Sequence, residues 1–322
     1  MPLRLRLVLR QLDRLSPNSR GIFAMLGAMA AFSVGDAMMK LSTGHLPAGQ
    51  SIFIRGVIGA TLIWAVAWRT GALAQLRTLS NPYLPWRTLG DTGGSFCYIG
   101  ALAHMPLADA AAIMQTNPLA VTAAAALFLN ERVGWRRWTA TGIGFLGALL
   151  IIQPGTQTFT WASVLVILSV LSCTMRDVAT RGLAGLPTVL IAATAATTTM
   201  ILSLGFVTFE RWQMPVMGDG LRLGVAAVCM LVGQVLVVIS IRAGDVSAVV
   251  PFRYSAMLWT LLLSAVVWRY VPNATTLAGI VIVSGAGLYT FFREQTLRRQ
   301  AATASTVGDR RVIDRATMDR PS

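Results

Sequence analysis

The stretch VGDAMMKLS, residues 34–42, places an acid, Asp36, and a base, Lys40, four residues apart, after a segment with no other charge back to Gly21. At this spacing the two side chains share one face of a helix, and acid before base is the favourable order. A lone charge at the centre of a membrane helix costs about 2.5–3.5 kcal/mol on insertion scales. The stretch therefore predicts a membrane helix that carries an opposite-charge pair.

The composition of the whole chain agrees with a membrane protein. Hydrophobic residues make up 55% of the 322 residues and charged residues only 12%, against about 25% charged in soluble proteins. A bilayer core about 30 Å thick needs about 20 mostly apolar residues per helix. The sequence thus predicts an all-α membrane protein with ten transmembrane helices, at 20–41, 49–68, 87–105, 108–129, 136–153, 159–178, 187–208, 221–243, 246–268 and 273–293.

The basic residues predict the orientation of these spans. Lys40 is the only lysine, so the net charge of +14 comes mainly from arginine. With the N-terminus inside and both tails left out, three arginines lie outside (Arg211, Arg222 and Arg269) and eight inside (Arg69, Arg77, Arg87, Arg132, Arg136, Arg137, Arg181 and Arg242). This asymmetry follows the positive-inside rule for an even number of spans, and it predicts both termini in the cytoplasm. Nucleic-acid binding is not needed to explain the charge, since no aromatic and basic module accompanies it.

The charge pair recurs once along the chain. In CTMRDVATRG, residues 173–182, Asp177 and Arg181 each lie 141 residues after Asp36 and Lys40 (177 − 36 and 181 − 40). Three further landmarks return at offsets of 140, 136 and 137, namely Leu46-Pro47 as Leu186-Pro187, Asp109 as Asp245 and Gly142 as Gly279. The order predicts a duplicated five-span unit, and an odd number of spans inverts the second copy.

The predicted organisation has four parts. A cytoplasmic N-terminal segment covers 1–19, the first repeat 20–155, the second repeat 156–293 and a cytoplasmic C-terminal tail 294–322.

Two explanations remain open for the charged residues inside the spans. Asp36 with Lys40, and Asp177 with Arg181, either form polar layers at the two mouths of a pathway or only staple helices and reach the headgroups. Arg55 and Asp91 are likewise either functional or a simple interhelical pair. As a group, these six residues are candidates for gating or coupling.

The predicted helices 4 and 9 carry the candidate binding residues. QTNP at 115–118 and PFRY at 251–254 correspond at an offset of 136. Pro118 removes one backbone hydrogen bond, and freed backbone at membrane depth is tolerated mainly where it is reburied or lines a cavity. An arginine beside aromatic rings suits a flat or anionic solute. Either a packing kink or a solute site explains these features, and the candidate solute contacts are Gln115, Asn117, Arg253, Tyr254 and Trp259.

No metal or other cofactor is expected. Cys97, Cys173 and Cys229 are isolated, and His45 and His104 lack the spacing of metal ligands.

Several stretches together resemble the EamA repeat of the drug/metabolite transporter superfamily. They are FSVGDAMMK (32–40), QSIFIRG (50–56), residues 108–155 with Glu131 and Arg132, and VVPFRYSAMLW (249–259). The resemblance implies a ten-helix inner-membrane carrier with two inverted repeats around a central cavity. Within the superfamily, riboflavin, S-adenosylmethionine and metallophore carriers are the most similar. Tyr270 stands where the second repeat commonly has a glutamate, so no role of that acid carries over.

We therefore expect a secondary transporter in the bacterial inner membrane that moves a small polar metabolite by alternating access. Its partners would be a small-molecule solute and membrane lipid, without nucleic acid, and nothing in the sequence indicates an oligomer. The alternatives are an integral-membrane enzyme that acts on lipid, or a membrane sensor. An enzyme would need a convergent set such as histidine with carboxylates, and a sensor would need an output domain.

Overall fold

The computed structural model describes residues 16–128, 134–155, 160–183, 185–243, 246–293 and 295–296. Of the sequence features above, most of the N-terminal segment, nearly all of the C-terminal tail, Glu131, Arg132 and Asp245 lie outside the described residues. Within those ranges the regular structure is helical, without a strand.

Helices occupy all ten predicted positions, here numbered α1 to α10. Eight of them are α1 (Pro17–Thr43), α2 (Ala48–Arg69), α3 (Leu84–Leu102), α5 (Trp135–Ile152), α6 (Trp161–Thr180), α7 (Thr188–Val207), α8 (Met217–Ala243) and α10 (Ala274–Arg293). The other two, α4 and α9, are interrupted. In the described part of the chain, eight of the ten are long and apolar enough to cross a membrane. The exceptions are α3, which contains Arg87 and Asp91, and α5, which starts with WRRW.

Prolines and a serine cap define several helix starts. The Ser16 side chain accepts a hydrogen bond from the Ser19 backbone N–H at 3.2 Å, and Pro17 follows at the first helical position. Pro47, Pro106 and Pro187 directly precede α2, α4 and α7. A residue before proline is pushed away from helical geometry, so these prolines separate consecutive helices.

The two interrupted helices break at the corresponding motifs. Helix α4 consists of Leu107–Met114 and Asn117–Phe128, so the break falls within QTNP. Helix α9 consists of Val246–Val249, a 3₁₀ turn at Val250–Tyr254 and Ser255–Trp268, so its tighter segment contains PFRY. The break expected at Pro118 is therefore confirmed, and the PFRY motif, 136 residues after QTNP, also lies in an irregular segment.

The closest packing occurs between helices from opposite halves of the sequence. Helix α1 packs along α8, α3 along α6, and α2 along α7. Between helices in lipid, association depends on close packing, which small residues permit. A Cβ at Gly90 of α3 would lie 2.6 Å from the Ser172 carbonyl oxygen of α6, and one at Gly279 of α10 would lie 2.6 Å from the Gly147 carbonyl oxygen of α5.

Contacts near the helix termini define two ends of the bundle. At the Lys40 end, the end of α1 meets the end of α3 and the start of α2 meets the residues after α7. At the Asp177 end, the end of α6 lies beside the residues that precede α3. The largest hydrophobic core cluster lies among α3, α4, α5, α6, α9 and α10.

Candidate functional site

A group of charged and polar side chains lies inside α1, α2 and α3, four to seven residues from the helix ends nearest Lys40. Tyr98 of α3 donates a hydrogen bond from its hydroxyl to Asp36 Oδ2 of α1 at 3.3 Å. Arg55 of α2 interacts electrostatically with Asp36 and with Asp91 but forms an ion pair with neither. Its guanidinium Nη1 instead lies 3.8 Å from Met230 Sδ of α8, which is a weak acceptor. We call Asp36, Arg55 and Tyr98 the central triad.

Lys40 does not pair with Asp36, contrary to the geometry predicted from their spacing. Its Nζ donates to the carbonyl oxygens of Leu102 and Met105, at 2.8 and 2.7 Å. It also lies 5.8 Å from the centre of the Trp268 ring of α9. These carbonyls belong to the C-terminal end of α3, where the helix dipole favours a cation. Lys40 therefore connects α1 with α3 and α9.

A hydrophobic cluster lies beside the central triad on the side of the Lys40 end. Its residues come from α1, α2, α3, α8 and the turn after α1, and Tyr98 packs against it. Met39 and Ile52 lie three positions nearer to the Lys40 end than Asp36 and Arg55. We call this cluster the plug, and its buried members are Met39, Leu46, Ile52, Ile99, Leu223 and Ala226.

Helices α4 and α9 are joined beside Lys40. The Tyr270 hydroxyl donates to Asp109 Oδ2 at 2.6 Å, and the Ala108 backbone N–H donates to Ser264 Oγ at 3.1 Å. Burial, the hydrogen bond to Asp109 and the negative charge of that carboxylate all raise the pKa of Tyr270. Tyr270 is thus a hydrogen-bond donor that connects α4 with the residues after α9.

A carboxylate also holds the start of α2. Glu210, which follows α7, accepts hydrogen bonds from the backbone N–H groups of Gly49 and Gln50, both at 3.0 Å. The Gln50 side chain exchanges two hydrogen bonds with the Gln213 backbone, at 2.6 and 3.0 Å. The unsatisfied donors of a helix N-terminus favour such an anion, so this contact fixes α2 to the α7–α8 connection.

A second polar network lies towards the Asp177 end. Arg176 bridges two carboxylates, with Nε 2.9 Å from Asp177 Oδ1 and Nη1 3.1 Å from Asp91 Oδ1. Asp177 Oδ2 accepts from Asn117 Nδ2 at 2.8 Å, while Thr174 donates to Asn117 Oδ1 at 3.3 Å. The break in α4 places Asn117 at the first position of its second segment, beside α6. This network joins α3, α4 and α6.

Asp177 and Asp91 share a partner that the sequence did not predict. Arg176 pairs with both, and Asp91 also pairs with Arg87 at 3.8 Å rather than with Arg55. Arg181 lies on the wall of a mainly apolar groove of about 680 Å³ between α3, α4, α5 and α6. Tyr83, Trp86, Phe128 and Phe145 line the same groove.

The structure does not bring the five candidate solute contacts into one cluster. Gln115 has a buried Nε2 with no hydrogen-bond partner among the described residues, whereas Asn117 is bound in the network above. Arg253 is exposed, and the Trp259 side chain is 36% exposed. The Tyr254 hydroxyl packs against Gly287 of α10.

Several partners of the charged residues were missed by sequence reasoning. Arg176 is adjacent to Asp177 in sequence, and neighbours on a helix do not normally face each other. The long side chain of Arg176 nevertheless reaches the Asp177 carboxylate. Nothing local in the sequence marks Tyr98 or Glu210 as partners of α1 or α2. Within the described ranges, no three histidine, cysteine or acidic residues are grouped as metal ligands.

Comparison with known proteins gives a family and several relatives. Residues 19–153 match the EamA-like transporter family. The pseudopaline exporter CntI of Pseudomonas aeruginosa (strain UCBPP-PA14) is 28% identical over 276 residues, which cover 82% of this chain and 93% of the exporter. A riboflavin transporter of Rhizobium johnstonii is 28% identical over 71% of this chain and 76% of its own.

A third relative is an S-adenosylmethionine uptake transporter of Rickettsia felis, 24% identical over 88% of this chain and 96% of its own. A crystal structure of a protein with 21% sequence identity aligns with a TM-score of 0.61 over 87% of this chain and 99% of that chain. At that identity the structural likeness shows the fold alone.

Proposed function

From the match of residues 19–153 to the EamA-like transporter family, we propose that the chain is a member of that family and a ten-span secondary transporter of the bacterial inner membrane. It moves a small polar metabolite by alternating access, with both termini in the cytoplasm and the Lys40 end outside. The relatives are named for pseudopaline, riboflavin and S-adenosylmethionine, which supports a metabolite as solute. Their names are those of transporters and an exporter, in agreement with the expectation that the chain is not an enzyme.

The main support for the proposal is that corresponding helices in the two predicted repeats make corresponding contacts. A Cβ at Gly35 of α1 would lie 3.5 Å from the Ala226 carbonyl oxygen of α8. The offsets 141 and 136 map these two residues onto Arg176 and Gly90, and a Cβ at Gly90 would lie 2.7 Å from the Arg176 backbone nitrogen. Such an exchange of contacts is expected when a pseudo-twofold axis relates two inverted halves. The matching breaks in α4 and α9 agree with it.

A difference between the two ends supports alternating access. At the Lys40 end, α1 contacts α3 and α4, and the plug covers the central triad. The duplication maps the first of these pairs onto α6 with α8, which is in weaker contact in the part of the chain that the structure describes. This difference fits a state closed outside and looser inside. In the opposite state the two ends would exchange these contacts.

The polar residues divide between the two ends and the interior. Lys40 holds the outer end, and Asp91, Asp177 and Arg181 belong to the inner end. Asp36 and Arg55 lie between them. Gln115, Asn117, Arg253, Tyr254 and Trp259 belong to the interrupted helices α4 and α9. Because the structure does not bring them together, we propose that they contact the solute at different points of its path or in another state.

Transport into membrane vesicles tests the proposal. Right-side-out and inside-out vesicles that contain the protein are supplied with radiolabelled riboflavin, S-adenosylmethionine or amino acids, and vesicles without it serve as the control. We expect protein-dependent accumulation in one orientation, which also gives the direction of transport. Conversion of a solute into a product, without accumulation, would instead identify an enzyme and refute the proposal.

A further inference from the structure

Opposite charges are held apart in the central triad. Asp36 and Arg55 each lie seven residues from the Lys40 end of their helices, which is about 10 Å at 1.5 Å per residue. The two groups interact electrostatically, yet no ion pair closes between them. In a low-dielectric interior, an acid and a base repay their loss of hydration only through close contact and further hydrogen bonds. A third group that binds between Asp36 and Arg55 would supply the missing contacts.

Both charged groups have unused hydrogen-bonding capacity. A guanidinium offers five donors in a planar fork, and in the described part of the molecule the sole hydrogen-bond acceptor of Arg55 is the sulfur of Met230. Asp36 accepts one hydrogen bond at Oδ2, from Tyr98, which leaves Oδ1 without a partner among the described residues. One side of the gap thus lacks an acceptor and the other lacks a donor.

The three side chains of the triad are partly accessible. The side chains of Asp36, Arg55 and Tyr98 are only half-buried although they lie inside the spans. Towards the Lys40 end, the plug covers them with buried apolar side chains such as Ile52 and Met39. Access therefore comes from the other direction, as a solute site in a state closed outside requires.

We propose that the central triad is a subsite for a zwitterionic group, which carries an ammonium and a carboxylate a few atoms apart. The Arg55 fork binds the carboxylate, as guanidinium groups do in bidentate pairs. Asp36 Oδ1 accepts from the ammonium, and Tyr98 orients Asp36. This assignment rests on the proposed function and deepens it, because it names the chemical class of the solute and gives the triad a role in binding.

Binding to the purified full-length protein tests the charge requirement with three probes that share one side chain. L-methionine has both charged groups, 3-(methylthio)propylamine lacks the carboxylate, and 4-(methylthio)butanoate lacks the amine. Hydrogen bonds to charged groups contribute about 1.5–3 kcal/mol each, so L-methionine should bind roughly 10- to 100-fold more tightly than either truncated probe. Equal binding of the three probes, or binding of none, would overturn the proposal.

Variants identify which residue recognises which charge. Arg55→Gln should make L-methionine and the amine bind alike, and Asp36→Asn should make L-methionine and the butanoate bind alike. Arg55→Lys keeps the charge without the fork and should give an intermediate loss. Arg69→Gln, in an exposed arginine of the same helix, should leave the preference unchanged. If each of the first two variants bound L-methionine as the wild type does, the triad would not be the site.

The result is separable from the outcome of the vesicle experiment. Vesicle uptake without a preference for the zwitterion would refute the triad assignment and leave the transporter. A preference that depends on Arg55 and Asp36, without uptake, would retain the binding site and refute transport.

Discussion

Replacement of Lys40 by methionine should open the Lys40 end of the protein. The variant keeps the length of the side chain but loses the ammonium that donates to the Leu102 and Met105 carbonyls at 2.8 and 2.7 Å. It also loses the contact with the Trp268 ring at 5.8 Å. Because these bonds connect α1 with α3 and α9, the proposed closed state has them and the open state does not.

The expected size of the effect follows from these contacts. Hydrogen bonds to a charged group contribute about 1.5–3 kcal/mol each, and a cation over an aromatic ring about 0.5–1 kcal/mol at exposed sites. Lys40 is only half-buried, so we take roughly 2–4 kcal/mol for the sum. Each 1.4 kcal/mol is tenfold, and the ratio of closed to open protein should fall roughly 30- to 700-fold.

Labelling of a cysteine at position 230 measures this change. Met230 touches Arg55 below the plug, so Met230→Cys reports access to the central triad. A membrane-impermeant maleimide is added from outside to cells that carry this reporter in a chain whose native cysteines are alanine. We expect faster labelling with Lys40→Met and a rate close to the parent with Lys40→Arg. Labelling of Lys40→Met at the parent rate would refute the role of Lys40 in closing this end.

Three further predictions follow from single contacts. Gly90→Ala should destabilise the protein by about 1–3 kcal/mol, since its Cβ would lie 2.6 Å from a carbonyl oxygen. The control Gly59→Ala, whose Cβ would have nothing within 4 Å, should be neutral or stabilising in thermal unfolding. Equal melting temperatures of the two variants would contradict the packing of α3 on α6. Because the pKa of Tyr270 is raised, the stabilising effect of this residue is present below the ordinary pKa of 10.0 and is lost as the pH rises through the higher folded value. Tyr270→Phe should therefore lower the melting temperature at pH 8 and flatten the decline of the melting temperature at alkaline pH. An unchanged decline would argue against the hydrogen bond to Asp109. Glu210→Gln should speed hydrogen exchange of the first amides of α2 without changing the centre of that helix, and unchanged exchange would show that Glu210 does not hold them.

Helix positions could be predicted because they depend on local apolar runs and on breakers. The window 187–208 corresponds to α7 at Thr188–Val207, with Pro187 directly before it. The window 20–41 corresponds to a longer α1 at Pro17–Thr43, because Ser16 and Pro17 extend the helix into a more polar segment. The break in α4 was also predictable, since Pro118 cannot donate a backbone hydrogen bond.

The partners of the charged residues could not be predicted, because packing between helices selects them. The spacing of Asp36 and Lys40 permits a pair, but the carbonyls at the end of α3 and the Tyr98 hydroxyl offer each side chain another partner. Arg253 stood out in sequence as a charge within an apolar span, yet it is exposed. A single sequence shows which residues are unusual in lipid, and tertiary contacts determine which of them meet.

The contact between α2 and α7 differs from the other two helix contacts because the proposed duplication relates it to itself. The proposed duplication would exchange α1–α8 with α3–α6, but it would map α2 onto α7 and α7 onto α2, so the α2–α7 contact would be its own counterpart, like an isologous interface. A contact that is equivalent when viewed from either side of the membrane should not differ between the outward-open and inward-open states. Under the proposed alternating access, the α2–α7 contact, which includes the hydrogen bond from Trp64 Nε1 to Thr197 Oγ1 at 2.8 Å, would stay intact while the two halves move.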